Sequence, residues 1–241
     1  MSQLVVALDF PNANQAMQMV ETLGSQVNFY KIGLELMMSG DYFLLLSYLE
    51  KKHKKIFADL KLYDIPQTVG KAVANLTKYN IDLLTIHAAN AQIMQAASDA
   101  KKHIKIIAVT VLTCLDEIDL QTMGFDPKLN IEQLVLKKTK LALDCQIDGI
   151  VASVLEANLL KKNLQQNPGK NNYDNFAIVT PGIRQESSAK HDQKRTASIA
   201  EAVRCGSTHL VVGRPITSSN NPALVAQQFQ QQIYETKAIV S

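Results

Sequence analysis

The stretch Lys55-Ile56-Phe57-Ala58-Asp59-Leu60-Lys61-Leu62-Tyr63-Asp64-Ile65-Pro66 carries a strand, its charged end and the start of a helix in one short run. The apolar segment 55–60 reads as a buried strand. Side chains alternate along a strand, so Asp59 and Lys61 project to one face. Asp64 follows just past the strand, and Pro66 with Thr68 opens a helix. Buried charge is costly unless paired, so two carboxylates bracketing a lysine at a strand end point to a site that acts on something. A half-exposed strand with a solvated ion pair would carry the same letters and mean little. Where the other charges fall decides between the two.

Working outward, similar apolar runs recur at residues 4–8, 28–33, 83–86, 106–112, 149–152, 176–180 and 209–212, each followed by a helical pattern. Continuous apolar strands suit a parallel sheet covered by helices. Asn12 or Asn14 can cap a helix through Met17, Met19 and Val20 that stops at Gly24. Asp41 precedes Phe43 to Leu46 in a segment ending in lysines, which matches the helix dipole. Asn130 precedes Ile131, Leu134, Val135 and Lys138, and Pro222 starts a segment with Leu224, Val225, Phe229 and Ile233 on one face. Eight strand–helix units in 241 residues fit a single-domain TIM (β/α)8 barrel spanning 1–241, a fold of typically about 250 residues. A doubly wound sheet would want a glycine-rich turn after the first strand, whereas that strand ends Ala7-Leu8-Asp9-Phe10-Pro11.

Composition narrows the partners. Lys plus Arg number 25 against 22 Asp plus Glu, a net charge of +3, too slight and too scattered for a nucleic-acid footprint and compatible with a small anionic metabolite. The densest basic run, Lys51, Lys52, Lys54 and Lys55, reads as a solvated helix end. Three widely spaced cysteines, Cys114, Cys145 and Cys205, without a C-x-x-C argue against a disulfide framework or zinc site and for a reducing compartment. The histidines show no metal-ligand spacing. The first apolar run is too short for a leader, and no apolar run approaches the roughly 20 residues of a membrane span. The expectation is a soluble cytoplasmic protein.

In a (β/α)8 barrel the active site lies at the C-terminal strand ends, and the distinctive polar residues fall there. In order they are Asp9, Lys31, the pair Asp59 and Lys61, His87, Thr110 with Thr113, Ser153, and the loops Thr180-Pro181-Gly182-Ile183-Arg184 and Gly213-Arg214-Pro215-Ile216-Thr217. Taken singly, His87 reads as a hydrogen-bonded core histidine and Ser153 as a helix cap. The last two loops suggest phosphate, because Gly182 and Gly213 admit close backbone approach and Arg214 can pair with phosphate oxygens. Between these loops, the polar segment from Gln185 to Arg195 reads as a lid over a bound anion, with Gln193 as a contact. The polar run 167–175 reads as an insertion.

Ala7-Leu8-Asp9, Tyr30-Lys31-Ile32-Gly33, the segment Asp59 to Pro66, Thr180 to Arg184 and Val212 to Ile216, taken in order, resemble the orotidine 5′-phosphate decarboxylases of the bacterial type along nearly the whole chain. The resemblance implies a homodimeric barrel that converts orotidine 5′-phosphate to uridine 5′-phosphate with no metal or organic cofactor, no nucleic acid and no membrane. It implies Lys61 as proton donor to C6, in an alternating array of Lys31, Asp59, Lys61 and Asp64. Asp64, Ile65 and Thr68 would reach the neighbouring subunit's site. Asp9 and Lys31 would hold ribose hydroxyls, with Asp59 also facing the substrate. Thr113 would lie near the pyrimidine, Pro181 and Arg184 would belong to the phosphate-side loop, and Gln193, Gly213 and Arg214 would bind phosphate. No cofactor motif offers an electron sink for a C6 carbanion, so fixed charge must stabilise it.

Three positions depart from the family pattern: Cys114 where serine is common, a longer 168–175 stretch, and Ala197 after Thr196 where proline often stands. Two other readings compete. Sugar-phosphate aldolases and decarboxylases share the D-x-K-x-x-D pattern but typically carry a strand-two glutamate and need magnesium, whereas Lys31 stands here. A non-catalytic phosphate binder would account for Arg214 but not for Lys61 between two aspartates.

Overall fold

The computed structural model describes residues 2–166, 175–184 and 197–240. Among them, eight parallel strands close into a barrel in the order β1 to β8. They are β1 (Gln3–Ala7), β2 (Phe29–Gly33), β3 (Lys55–Leu62), β4 (Leu83–His87), β5 (Lys105–Val109), β6 (Gly149–Val151), β7 (Ala177–Thr180) and β8 (His209–Val212). The helices are α1 (Ala13–Leu23), α2 (Leu34–Ser39), α3 (Tyr42–Lys51), α4 (Pro66–Leu76), α5 (Ala91–Ala100), α6 (Glu117–Thr122), α7 (Ile131–Asp144), α8 (Val154–Gln166), α9 (Ile199–Arg204), α10 (Arg214–Thr217) and α11 (Pro222–Val240). No helix among the described residues is long and apolar enough to cross a membrane.

Period two along each strand splits the core in two. Val5, Phe29, Phe57, Leu83, Ile107, Val179 and Val211 fill the barrel interior. Their neighbours, such as Val6, Tyr30, Ile56, Leu84 and Ile106, pack outward against the helices. At the N-terminal end the strands are fastened in a repeating way. The carbonyls of Asn28, Asp82, Asp148 and Thr208, each just before an even-numbered strand, accept the N–H of Lys55, Lys105, Ala177 and Gln3. The side chains of Asp82, Asp148 and Thr208 in turn accept the N–H of Ile56, Ile106 and Ile178 on the preceding strand, at 2.8, 2.8 and 2.9 Å.

Helix ends follow the sequence with some corrections. Asn12, not Asn14, caps α1, accepting the Gln15 N–H at 3.0 Å. Asn130 caps α7 reciprocally with Gln133. Asp41 does not cap α3 with its side chain. Its backbone is already helical (φ −92°, ψ −1°), unlike the extended N-cap geometry that turns a carboxylate back on its own helix. Its carboxylate instead accepts the Ala13 N–H at the start of α1, at 2.8 Å. Lys54 is not a solvated helix end: its ammonium donates to the Gly24 and Val27 carbonyls and to Asn28 Oδ1, at 2.7, 2.9 and 3.2 Å. In α11, Phe229, Ile233 and Ala226 are buried, while Leu224 points to solvent.

Two strands end elsewhere than the apolar runs suggest. The strand β5 stops at Val109 although apolar residues continue to Leu112. Thr110 Oγ1 donates to the Val151 carbonyl and Lys138 Nζ donates to the Thr110 carbonyl, turning the chain into a loop. The strand β3 runs on to Leu62, but its pairing with β4 shifts between Ala58 and Leu62. Ala58 pairs with Leu84 and Leu62 with Ile86, so Asp59, Leu60 and Lys61 all lie opposite Thr85. This is a β-bulge, a device that re-aims side chains at barrel rims. Lys61 sits at its end with φ 48°.

Candidate active site

A cavity of about 460 Å³ opens at the C-terminal strand ends, within the size range of small-molecule sites. Asp9, Lys31, Asp59, Lys61, Thr113, Pro181, Arg184, Gly213 and Arg214 all line it. The barrel brings together residues from the first to the last strand, as the strand-end reading anticipates. Gln193 and the residues 185–196 lie outside the described residues, as do 167–174 of the expected insertion.

Charge concentrates at the ends of β1, β2 and β3. Asp59 Oδ2 receives the Lys61 ammonium at 2.8 Å and faces the Lys31 ammonium at 3.6 Å, while Lys31 also donates to Asp9 at 2.8 Å. The other oxygen of Asp59 accepts from the Thr85 hydroxyl at 2.9 Å. Burial alone would push the Asp59 carboxyl up, but Lys31, then Lys61 with its hydrogen bond and that of Thr85, hold it below the usual carboxylate range. Burial works against the Lys31 charge as well, yet Asp59 and Asp9 hold the ammonium above the ordinary lysine range. The result is an alternating acid–base–acid–base row of fixed charge, set beside the apolar side chains of Ala7, Phe57, Val109, Val151, Val179 and Val211 that also line the cavity.

Asp64, Ile65 and Thr68 do not line the cavity of their own chain. They sit at the entry to α4 and are exposed; the Asp64 carboxylate accepts the Ile65 N–H at 2.6 Å. Within one chain the charged row is thus Asp9, Lys31, Asp59 and Lys61, without Asp64. His87 is half-buried with its ring 5.6 Å from Tyr63. Burial, then Lys138 and Lys61, push it below the ordinary histidine range, favouring the neutral ring. Ser153 is a helix cap: its hydroxyl accepts the Glu156 N–H at 3.5 Å, and its own N–H donates back to Glu156 Oε2 at 2.7 Å. The Thr180 hydroxyl pairs with that of Ser207 at 2.7 Å and is fully buried.

Sequence reasoning left Glu35, Val111 and Leu112 out of the site. Glu35 comes four residues after Lys31, at the start of α2, and a carboxylate just past a charged strand end was the available signal. Val111 and Leu112 read as strand because their apolarity serves the cavity wall rather than the sheet. Thr85 carried no signal at all, since a threonine inside an apolar strand looks like ordinary β-propensity.

The match to known proteins spans the whole arrangement. The family model described as orotidine 5′-phosphate decarboxylase / HUMPS family covers residues 2–229. An orotidine 5′-phosphate decarboxylase of Methylococcus capsulatus is 43% identical over 237 residues, 98% of this chain and 93% of that protein. Another, of Caulobacter vibrioides, is 47% identical over 222 residues, 91% and 92% of the two chains. The crystal structure of orotidine 5′-phosphate decarboxylase from Lactobacillus acidophilus superposes with a TM-score of 0.81 at 30% identity, covering 97% of this chain and 99% of that one. Likeness at this level, reaching from the first strand to the last helix, makes the chain a member of the orotidine 5′-phosphate decarboxylase / HUMPS family, acting as a carboxy-lyase of pyrimidine biosynthesis.

Proposed function

We propose that this barrel, acting as one domain over residues 1–241, decarboxylates orotidine 5′-phosphate to uridine 5′-phosphate through fixed charge, with no metal or organic cofactor. The observation that carries the reading is Asp59 held between the ammonium groups of Lys31 and Lys61 in the cavity at the strand ends. In the reaction the bond from C6 to the carboxylate breaks and CO2 leaves. The electron pair stays on C6, and Lys61 Nζ delivers the proton that closes the valence. Solvent then reprotonates Lys61. No ring carbonyl is placed to delocalise the pair as in a β-keto acid, so a preorganised ammonium beside C6 supplies the stabilisation. Asp59 aims that ammonium, and Lys31 keeps Asp59 ionised.

Asp9 and Lys31 hold the ribose hydroxyls, and Thr113 lies against the pyrimidine. Pro181 and Arg184 form the phosphate-side loop, while Gly213, Arg214 and Gln193 take the phosphate. That group lies far from the reacting carbon, so its binding energy is free to order the site rather than to touch the chemistry. Two chains form a homodimer in which Asp64, Ile65 and Thr68 complete the neighbour's array. Support comes from their position outside their own cavity and from the exposure of Tyr63 (68%) and Ile65 (63%) beside Asp64. A reducing cytoplasm suits the free cysteines.

The test is loss of the orotate chromophore in the presence of EDTA, with uridine 5′-phosphate identified as product. Turnover under EDTA that falls more than about 100-fold in Lys61→Ala is the expected result. Turnover only of sugar phosphates with added magnesium would overturn the reading.

A further inference from the structure

We infer that Thr85 is a positioning residue for this reaction: its hydroxyl fixes both the Asp59 carboxylate and the backbone that presents Lys61. The inference rests on the proposed role of Lys61 and goes beyond it.

Thr85 lies on β4 and is completely buried. Its Oγ1 accepts the Lys61 N–H at 2.8 Å and donates to Asp59 Oδ1 at 2.9 Å. One hydroxyl has one proton to give and lone pairs to receive, so both bonds form at once and set the direction of each. The bulge explains why a side chain is needed there. Three residues of β3 face Thr85 alone, between the Ala58–Leu84 and Leu62–Ile86 pairs. Regular sheet pairing cannot supply Lys61 with a backbone partner at that point, and the threonine takes its place. Lys61 is thereby held at φ 48°, a conformation that a lysine adopts only where its surroundings impose it.

The same hydroxyl decides where Asp59 points. With Oδ1 on Thr85, Oδ2 is turned to Lys61 and Lys31. Both oxygens are then committed, which fixes the orientation of the carboxylate at the cavity wall. Thr85 itself does not line the cavity. Its effect on the reaction therefore passes through Asp59 and Lys61, and is one of geometry.

The experiment compares Thr85→Val, which keeps the shape and loses both hydrogen bonds, with Thr85→Ser, which keeps both. Each is assayed with orotidine 5′-phosphate in EDTA for kcat and KM, and each is melted. Thr85→Val is expected to lower kcat by about 10- to 100-fold, the range for a catalytic group displaced by an ångström or less. KM should stay near the parent value, because phosphate and ribose contacts are untouched, and Thr85→Ser should recover most of the loss. If Thr85→Val does not fold, Thr85→Ser and Thr85→Ala are compared instead, and equal kcat in those two would overturn the inference. A folded Thr85→Val with parental kcat, or one whose loss serine does not recover, would overturn it while a dead Lys61→Ala leaves the proton-donor reading standing. A Lys61→Ala variant with parental turnover would overturn both.

Discussion

Asp59 is the residue on which the charged row converges: Lys31 from one strand, Lys61 from its own and Thr85 from the next all end on its two oxygens. Its carboxyl is held low, so its contribution to stability is present above the ordinary carboxylate range. That contribution is lost as the pH falls through its depressed value. Lys31, held high, behaves in the opposite sense. Its contribution is present below the ordinary lysine range and fades as the pH rises through its elevated value. Replacing Asp59 by Asn leaves two ammonium groups facing each other with their shared counter-charge gone. Such a change should cost about 3 kcal/mol in urea unfolding at neutral pH, the low end for breaking a buried pair, because Lys61 retains some access to water. The gap between parent and variant should narrow as the pH is lowered below the carboxylate range.

Among the elements, the bulge in β3 is where legibility ends. Alternation along the strand correctly anticipates that Asp59 and Lys61 meet, since their side chains lie 2.8 Å apart. It does so for an incomplete reason, because a regular strand would not put Lys61 at φ 48°. A register shift depends on the partner strand, and no single-strand period contains it. The runs at residues 4–8, 83–86 and 209–212 were readable for the opposite reason, as apolar spacing and boundary signals agree there. At the site, charged strand ends were visible because burial makes charge conspicuous, whereas Glu35 and Thr85 looked ordinary. The strain itself can be measured by comparing Lys61→Gly with Lys61→Ala. Both remove the ammonium, but only glycine relaxes at positive φ. Glycine should be the more stable by about 1 kcal/mol in chemical denaturation, reversing the usual order of the two residues in a strand.

The whole barrel depends on close approach between its strands and on its N-terminal end. A Cβ on Gly149 would lie 2.4 Å from the Ala177 carbonyl oxygen and 2.6 Å from its Cβ. Gly149→Ala should therefore cost at least about 2 kcal/mol by thermal unfolding, because the obstacle is the neighbouring strand and not a flexible side chain. At the same end, burial first and then Lys105 and Lys55 push His209 down to about 4 from 6.5. The folded barrel holds the ring neutral, so the unfolded chain binds the proton more readily. Stability contributed by the neutral ring is present above about 6.5 and is lost as the pH falls toward 4. The loss amounts to up to about 3 kcal/mol. His209→Gln should flatten that acid slope in melting curves taken across this window.

The bonds that Asp82, Asp148 and Thr208 make to the strand before each of them lie at the N-terminal strand ends, away from the chemistry. They work like a hem sewn along one edge of a cloth. Because the hem secures closure from below, the loops at the other rim can vary in length and wording without unravelling the weave. In deuterium exchange the amides of Ile56, Ile106 and Ile178 should be among the last to yield, whichever substrate the upper rim has come to serve.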